Sequence, residues 1–243
     1  VRSGEDELTV RRTAARHDVQ DRALESLSTA GNYNAWLAAL AEPWLGGDVI
    51  EIGAGAGSIG ARWASGGRMV TMTEPHLVRV VELRRRFDGD ESIRVEQLSL
   101  PSSRRGSYSS AAAVNVLEHI EDDGSAVSSM ASLVRPGGHV IVLVPAFEVA
   151  MSRFDRDIGH HRRYRRRDVQ RLFESAGLQP VVLRYVNSVG LIGWTVVVRG
   201  LRRSPADGAL LRFYDRRVVP RLRRWEQSHP PPFGQSVLGV ARV

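Results

Sequence analysis

Residues 49–57, VIEIGAGAG, run from an apolar stretch into glycines at every second position, with one carboxylate, Glu51, two places before the first of them. Glycine has no Cβ, so a turn of this kind lets the backbone approach a ligand closely, and a helix beginning after it aims amide donors at that ligand. Gly53, Ala54, Gly55 and Gly57 are therefore candidate ligand contacts, together with Glu51. A carboxylate at the strand end suits a ligand with a cationic amino-acid portion better than it suits a pyrophosphate, which favours S-adenosylmethionine over a nicotinamide dinucleotide. The alternative is an ordinary strand-to-helix turn without a ligand. Glu74 lies roughly twenty residues beyond the glycines, where a carboxylate can accept from both ribose hydroxyls. Taken alone it would read as a helix-start acid favoured by the dipole.

The elements that must position these residues follow from the apolar pattern. Strands are expected at 49–52, 69–73, 93–98, 111–115 and 140–144, the last preceded by the turn Pro136-Gly137-Gly138, with helices running to about Ser65 and through Phe87. Strand and helix alternating at this spacing indicate a doubly wound parallel α/β sheet. A helix over 165–176, closed by Gly177, and a strand over 180–185 come next. Residues 186–235 read as a two-helix insertion before a last strand at 236–243, and 1–47 as N-terminal helices, one around Val19 to Leu27 and one over 33–45. The whole chain is expected to form a single domain with its core at 48–185.

Composition narrows the chemistry. The 243 residues include no cysteine, which excludes disulfides, thiolate metal sites and cysteine nucleophiles, and no metal-ligand set is expected. No lysine occurs, so all 34 basic residues are arginine, and a dehydrogenase Tyr-x-x-x-Lys pair is impossible. Charge divides unevenly: residues 1–150 hold 15 Arg against 20 acids, and residues 151–243 hold 19 Arg against 7. The basic part suits an anionic small molecule, a phospholipid surface or nucleic acid, or is a solvated face. No apolar run is long enough to span a membrane and no secretory leader opens the chain, so a cytoplasmic protein is expected.

The segments VIEIGAGAG, Glu74, NVLEHIEDD (115–123) and LVRPGGHVIVLVPA (133–146) together resemble the class I S-adenosylmethionine-dependent methyltransferases, over residues 32 to about 185. The resemblance implies a Rossmann-like seven-stranded, mostly parallel sheet whose last strand is antiparallel, plus helical lid elements. It implies S-adenosyl-L-methionine as cofactor, S-adenosyl-L-homocysteine as its product, and cofactor contacts from Glu51, Gly53, Ala54, Gly55, Gly57, Glu74 with Pro75, and Asn115, Val116 and Leu117. Many members carry an aspartate after the third strand to hold the adenine amino group. Here that segment reads Glu96-Gln97-Leu98-Ser99-Leu100, leaving Ser99 or a backbone carbonyl in its place. The segment NYNAW (32–36) resembles an N-terminal element that packs over the cofactor, with Tyr33 and Trp36 serving either as lid or as core.

Methyl transfer from a sulfonium is an in-line displacement, so the protein supplies alignment and, for an oxygen acceptor, help with proton removal. One positioned histidine suffices. His160, in FDRDIGHHRRY (154–164), is the preferred candidate and His119 the second, with Asp155, Arg163 and Tyr164 as orienting or substrate-binding partners. Against this, His119 belongs to a motif often kept for helix-start geometry, and 154–164 also reads as a surface loop held by arginine ion pairs. The missing cysteine excludes covalent cytosine methylation, and NVLE is not the N/D-P-P-Y/F loop of exocyclic-amine enzymes, so nucleic acid is not the expected substrate. The expectation is O-methylation of a small bacterial metabolite, anionic or hydrophobic, by a monomer or homodimer. The GHxRRY segment and the P-P-x-G-Q-S ending resemble bacterial methyltransferases associated with glycan or natural-product pathways. N-methylation, a non-methylating cyclase or scaffold, and a membrane-peripheral or RNA-directed enzyme are the alternatives. Residues 191–201 read as an almost wholly apolar helix that must be buried, and Arg212 to Arg224 as a basic amphipathic helix.

Overall fold

Along the central strands, successive side chains alternate between two apolar layers, as the two-residue period of a strand requires. Ile50 and Ile52, Ala111 and Ala113, and Val140, Val142 and Val144 enter one layer, while Val49, Ala112, Ile141 and Leu143 enter the other. A computed structural model describes residues 29–200 and 208–243, and shows these strands as the middle of a seven-stranded sheet. The strands are β1 (Asp48–Ile52), β2 (Met69–Glu74), β3 (Ile93–Gln97), β4 (Tyr108–Val114), β5 (Val134–Pro145), β6 (Gln179–Val186) and β7 (Ser236–Arg242). Their order is β3-β2-β1-β4-β5-β7-β6, with β7 antiparallel to both neighbours and the pairs from β3 to β5 parallel.

Helices cover both faces. On one side α4 (Asp123–Leu133) and α6 (Arg166–Ser175) bury Met130, Leu133, Val169 and Phe173. On the other, α1 (Gly31–Ala41), α2 (Gly60–Ser65) and α3 (Leu77–Arg86) bury Trp36, Leu37, Trp63 and Leu83. Burial of this kind contributes about 1.5–3 kcal/mol for each large apolar side chain. The chain reverses direction in strand order between β1 and β4, and at such a switch point the carboxyl ends of the strands open a crevice.

Four features differ from the sequence reading. The helix α4 has its apolar residues diluted by serines, so its period is faint in the sequence; Asp122 caps it by accepting from the Ser125 amide at 3.0 Å. The presumed surface loop at 154–164 contains α5 (Arg153–Asp157), started by a capping box between Ser152 and Asp155. The insertion consists of α7 (Ser188–Gly193) continued by π-helical turns to Gly200, then α8 (Gly208–Phe213), another π-helical stretch and α9 (Val219–Ser228). Its first part is not the buried helix expected from its composition: Ile192 is 55% and Val196 56% exposed, and only Val198 among its valines is well covered. The helix expected around Val19 to Leu27 lies outside the described residues.

Candidate active site

The glycine turn takes the backbone form its composition allows. Gly53, Gly55 and Gly57 have φ of 65°, 57° and 74°, in the left-handed region that glycine enters without steric cost. A Cβ at Gly53 would lie 2.7 Å from Val116 Cγ2, so the absence of a side chain there lets the end of β4 close on the end of β1. The turn is tied to β2 by the Ala54 amide donating to the Thr73 carbonyl at 2.9 Å and by the Gly55 amide donating to Glu74 at 2.5 Å.

Two carboxyls stand behind this turn. Glu51 is 3% exposed, its carboxyl fills the space a Cβ at Gly60 would take, and among the described residues its Oε2 has no hydrogen-bond partner of normal geometry. Burial first, and the negative charge of Glu74 second, push its carboxyl up to about 8, against the Gly60 backbone donor. Burial likewise raises Glu74, opposed by the Gly55 amide and by Arg79 and His76. Two buried acids that disfavour each other's ionisation form a site that a cation and hydroxyl donors would relieve. The residues thus fit S-adenosylmethionine, whose ammonium, sulfonium and ribose hydroxyls supply those groups.

A second cluster is assembled from two segments about forty residues apart. The turn after β4 carries Glu118 and His119; the loop after α5 carries His160 and Arg163, and the His161 amide donates to the Glu118 carbonyl at 2.8 Å to join them. Asp155, fully buried, accepts from Ser152, from His160 Nδ1 at 2.9 Å and from Arg163 Nη2 at 2.6 Å. Burial opposes its charge, but His160, Arg163 and Ser152 outweigh that and hold the carboxyl at about 2. Glu118 is also fully buried, and burial pushes it up to about 7 against the pull of His160 and Arg163. His119, desolvated and beside His160, is lowered to about 4 and is neutral near pH 7. Its ring meets that of His160 edge-on, with centroids 4.6 Å apart.

Residues 16–183 match the family model described as "Methyltransferase domain". The chain belongs to this methyltransferase family. Among curated relatives it is similar to a ubiquinone biosynthesis O-methyltransferase of Xanthomonas axonopodis pv. citri (strain 306), 30% identical over 111 residues, which are 44% of this chain and 46% of that protein. A second, from Bordetella avium (strain 197N), is 28% identical over 43% of this chain and 45% of its own length. The methyltransferase chain described here thus spans less than half the length of these relatives in alignment. The fold is similar to geranyl diphosphate methyltransferase in complex with S-adenosylmethionine, with a TM-score of 0.60, 15% identity and coverage of 85% and 84% of the two chains. It is also similar to the [4+2]-cyclase SpnF, with a TM-score of 0.57, 18% identity and coverage of 85% and 80%.

Within this methyltransferase fold, most of the expected contacts gather at the carboxyl edge of the sheet. Asn115, exposed and left-handed at φ 54°, follows β4, and Val116 and Leu117 bring the chain to Glu118. Pro75 and Ser99 are exposed beyond β2 and β3, whose ends Glu74 and Gln97 are paired. Three residues of the segment 154–164 are enclosed within the protein. Arg163, with its side chain 2% exposed, is engaged with Asp155, the Ala146 carbonyl and the face of Trp194, so it positions Asp155 rather than meeting a substrate. Tyr164, 2% exposed, donates to Asp123 at 2.9 Å and is core, not substrate contact. Asp155 itself is enclosed and orients His160.

Tyr33 belongs to a buried polar knot. Burial pushes its hydroxyl up to about 12, with Asn187 and Ser236 opposing that rise. Asn187, left-handed at φ 65°, also takes the Gly190 amide at 3.0 Å and donates to Gln235 at 2.7 Å, while its own amide donates to Glu226 at 2.8 Å. This knot fastens α1 and the insertion to the ends of β6 and β7. Sequence reasoning passed over Asn187 and Glu118. For Glu118 a signal existed, an acid directly before a histidine inside a quoted motif; for Asn187 none did.

Proposed function

We propose that this chain transfers the methyl group of S-adenosylmethionine to an oxygen of a small hydroxylated molecule. The observation that carries this reading is the position of the Glu118–His119–His160–Asp155 cluster, two residues beyond Val116, whose side chain packs on Gly53 of the cofactor turn. Glu51, Glu74 and the amides of the glycine turn would hold the cofactor, which supplies an activated methyl group when bound. Asp155 accepts from His160 Nδ1 and so turns Nε2 toward Glu118, where it can take a proton from an acceptor hydroxyl. Arg163 and Ser152 keep Asp155 ionised in that task. Trp194, donating to the Ala150 carbonyl at 3.1 Å, closes this side against water. The O-methyltransferase names of the curated relatives support oxygen as the acceptor atom, and a small bacterial metabolite, from a natural-product or glycan pathway, remains the substrate class we propose.

The test is methyl transfer from labelled S-adenosylmethionine to matched phenols, sugars, carboxylic acids and amines of similar size. Transfer to hydroxyl acceptors that is lost in His160→Ala, with calorimetric cofactor binding retained, supports the reading. Transfer confined to amines would overturn it.

A further inference from the structure

Glu118, His119 and His160 each present one ligand atom to a common space, with all three atoms within 4.8 Å of one another. The arrangement is specific about which lone pairs are free. His160 gives its Nδ1 proton to Asp155, leaving the Nε2 lone pair directed at Glu118, 3.9 Å from Oε1. The His119 ring lies beside the Gly159 backbone, its Nδ1 3.7 Å from where a Cβ at Gly159 would stand. Glu118 is fully buried, and among the described residues neither of its oxygens has a hydrogen-bond partner of normal geometry. A buried carboxyl with both oxygens unmet is expensive, on the order of 1–3 kcal/mol or more for each lost bond. The Arg163 guanidinium, whose charge acts on Glu118, is already committed to Asp155.

We propose that Glu118, His119 and His160 bind a divalent first-row transition cation. The donor set is two imidazoles and one carboxylate, with no thiolate, which suits zinc, manganese, iron or cobalt and leaves coordination positions open for a ligand. Ligand atoms about 2.0–2.2 Å from such a cation stand roughly 3 Å apart, so the three side chains need to draw in by less than an ångström each. One outer partner is in place: the Asp155 carboxylate on the far nitrogen of His160, the kind of group that fixes tautomer and orientation in histidine metal sites. The forty-residue separation of His119 from His160 is why no ligand spacing is visible in the sequence.

The use of the cation rests on the oxygen-acceptor reading above; its binding does not. With the cation bound, His160 Nε2 is a ligand and no longer the base, and an acceptor hydroxyl taking an open position would instead lose its proton to water at neutral pH, because the cation lowers the pKa of a bound O–H by several units. The oxygen's electron pair then forms the O–CH3 bond as the S–CH3 bond breaks, and the leaving pair stays on sulfur. A substrate with two adjacent oxygens would fill two positions and be preferred.

The experiment is titration of tag-free, chelator-stripped protein with Co2+, followed by visible absorption, and with Zn2+ and Mn2+ by calorimetry. One cation per chain with a Kd in the micromolar range or tighter, weakened at least tenfold in each of Glu118→Gln, His119→Gln and His160→Gln, supports the site. Asp155→Asn should weaken binding about 10–100-fold through His160 alone. His229→Gln, a change at an exposed histidine just after α9, should leave it unaltered. Calorimetric binding of S-adenosylmethionine to every variant checks that each is folded. Absence of Co2+ binding to wild type, or wild-type affinity in all three ligand variants, would overturn the site. If methyl transfer to hydroxyls proceeds undiminished in chelator, the inference falls and the oxygen reading stands; cation binding without such transfer does the reverse.

Discussion

The glycine turn with its two carboxyls and the Glu118–His160 cluster are built in opposite ways. The first is nearly contiguous: Glu51, the glycines and Glu74 lie within one strand–turn–helix–strand passage, and the parallel pairing of β1 with β2 aligns them. The second depends on a meeting between the turn after β4 and the loop after α5, held by the His161–Glu118 backbone bond and by Asp155. The electrostatics differ as well. The turn holds two acids raised by burial, with Arg79 and His76 opposing that rise at Glu74, whereas the cluster neutralises Asp155 internally and, among the described residues, leaves both Glu118 oxygens unmet. Local geometry therefore suffices to build the turn, while the cluster needs long-range assembly.

The comparison can be broken most severely at Arg163. Arg163→Ala leaves Asp155 charged and buried, and should cost about 3–5 kcal/mol of stability in chemical denaturation. A loss below about 1 kcal/mol would mean the pair is not the clamp we describe. His160→Ala should lower kcat at least about a hundredfold, equivalent to about 2.7 kcal/mol, with cofactor affinity unchanged. Parallel losses in kcat and cofactor binding would merge the two sides into one unit. Glu74→Ala should do the converse, weakening S-adenosylmethionine about 10–100-fold by calorimetry, in line with the loss of hydrogen bonds to a charged acceptor.

A pH experiment sharpens the electrostatic contrast. Glu51 titrates near 4.5 when unfolded and at about 8 when folded, so between those values unfolding releases a proton and stability falls as pH rises. Glu51→Gln removes that dependence. It should raise the melting temperature of the ligand-free protein, by more at about pH 8 than at about pH 5, while weakening cofactor binding. An equal gain at both values would place the Glu51 carboxyl in a solvated setting. The smallest effect is expected at the exposed apolar face of the insertion, where Ile192→Ser should change stability by no more than about 0.5 kcal/mol. A large loss there would restore the buried helix that composition alone suggests.

The strands and the cofactor turn were legible because period-two burial and glycines with positive φ are local requirements written into neighbouring residues. The helix α4 was not, since alanine and serine give too little amphipathic contrast to mark its period. The apolar stretch 191–201 misled for a related reason: composition reports what a segment could bury, and only packing decides which side is covered. His119, His160 and Asp155 could each be singled out as chemically capable, yet nothing in their spacing says that they touch.

By itself the sequence determined the doubly wound sheet, the glycine turn at its carboxyl edge and the two carboxyls behind that turn, because each follows from short-range periodicity and backbone freedom. Only the tertiary structure decided that Arg163 is a buried clamp, that Tyr164 is core, and that Glu118 faces two histidines without a partner. Those are consequences of which segments pack together, and a side chain's charge state and free lone pairs are set by its neighbours in space rather than along the chain.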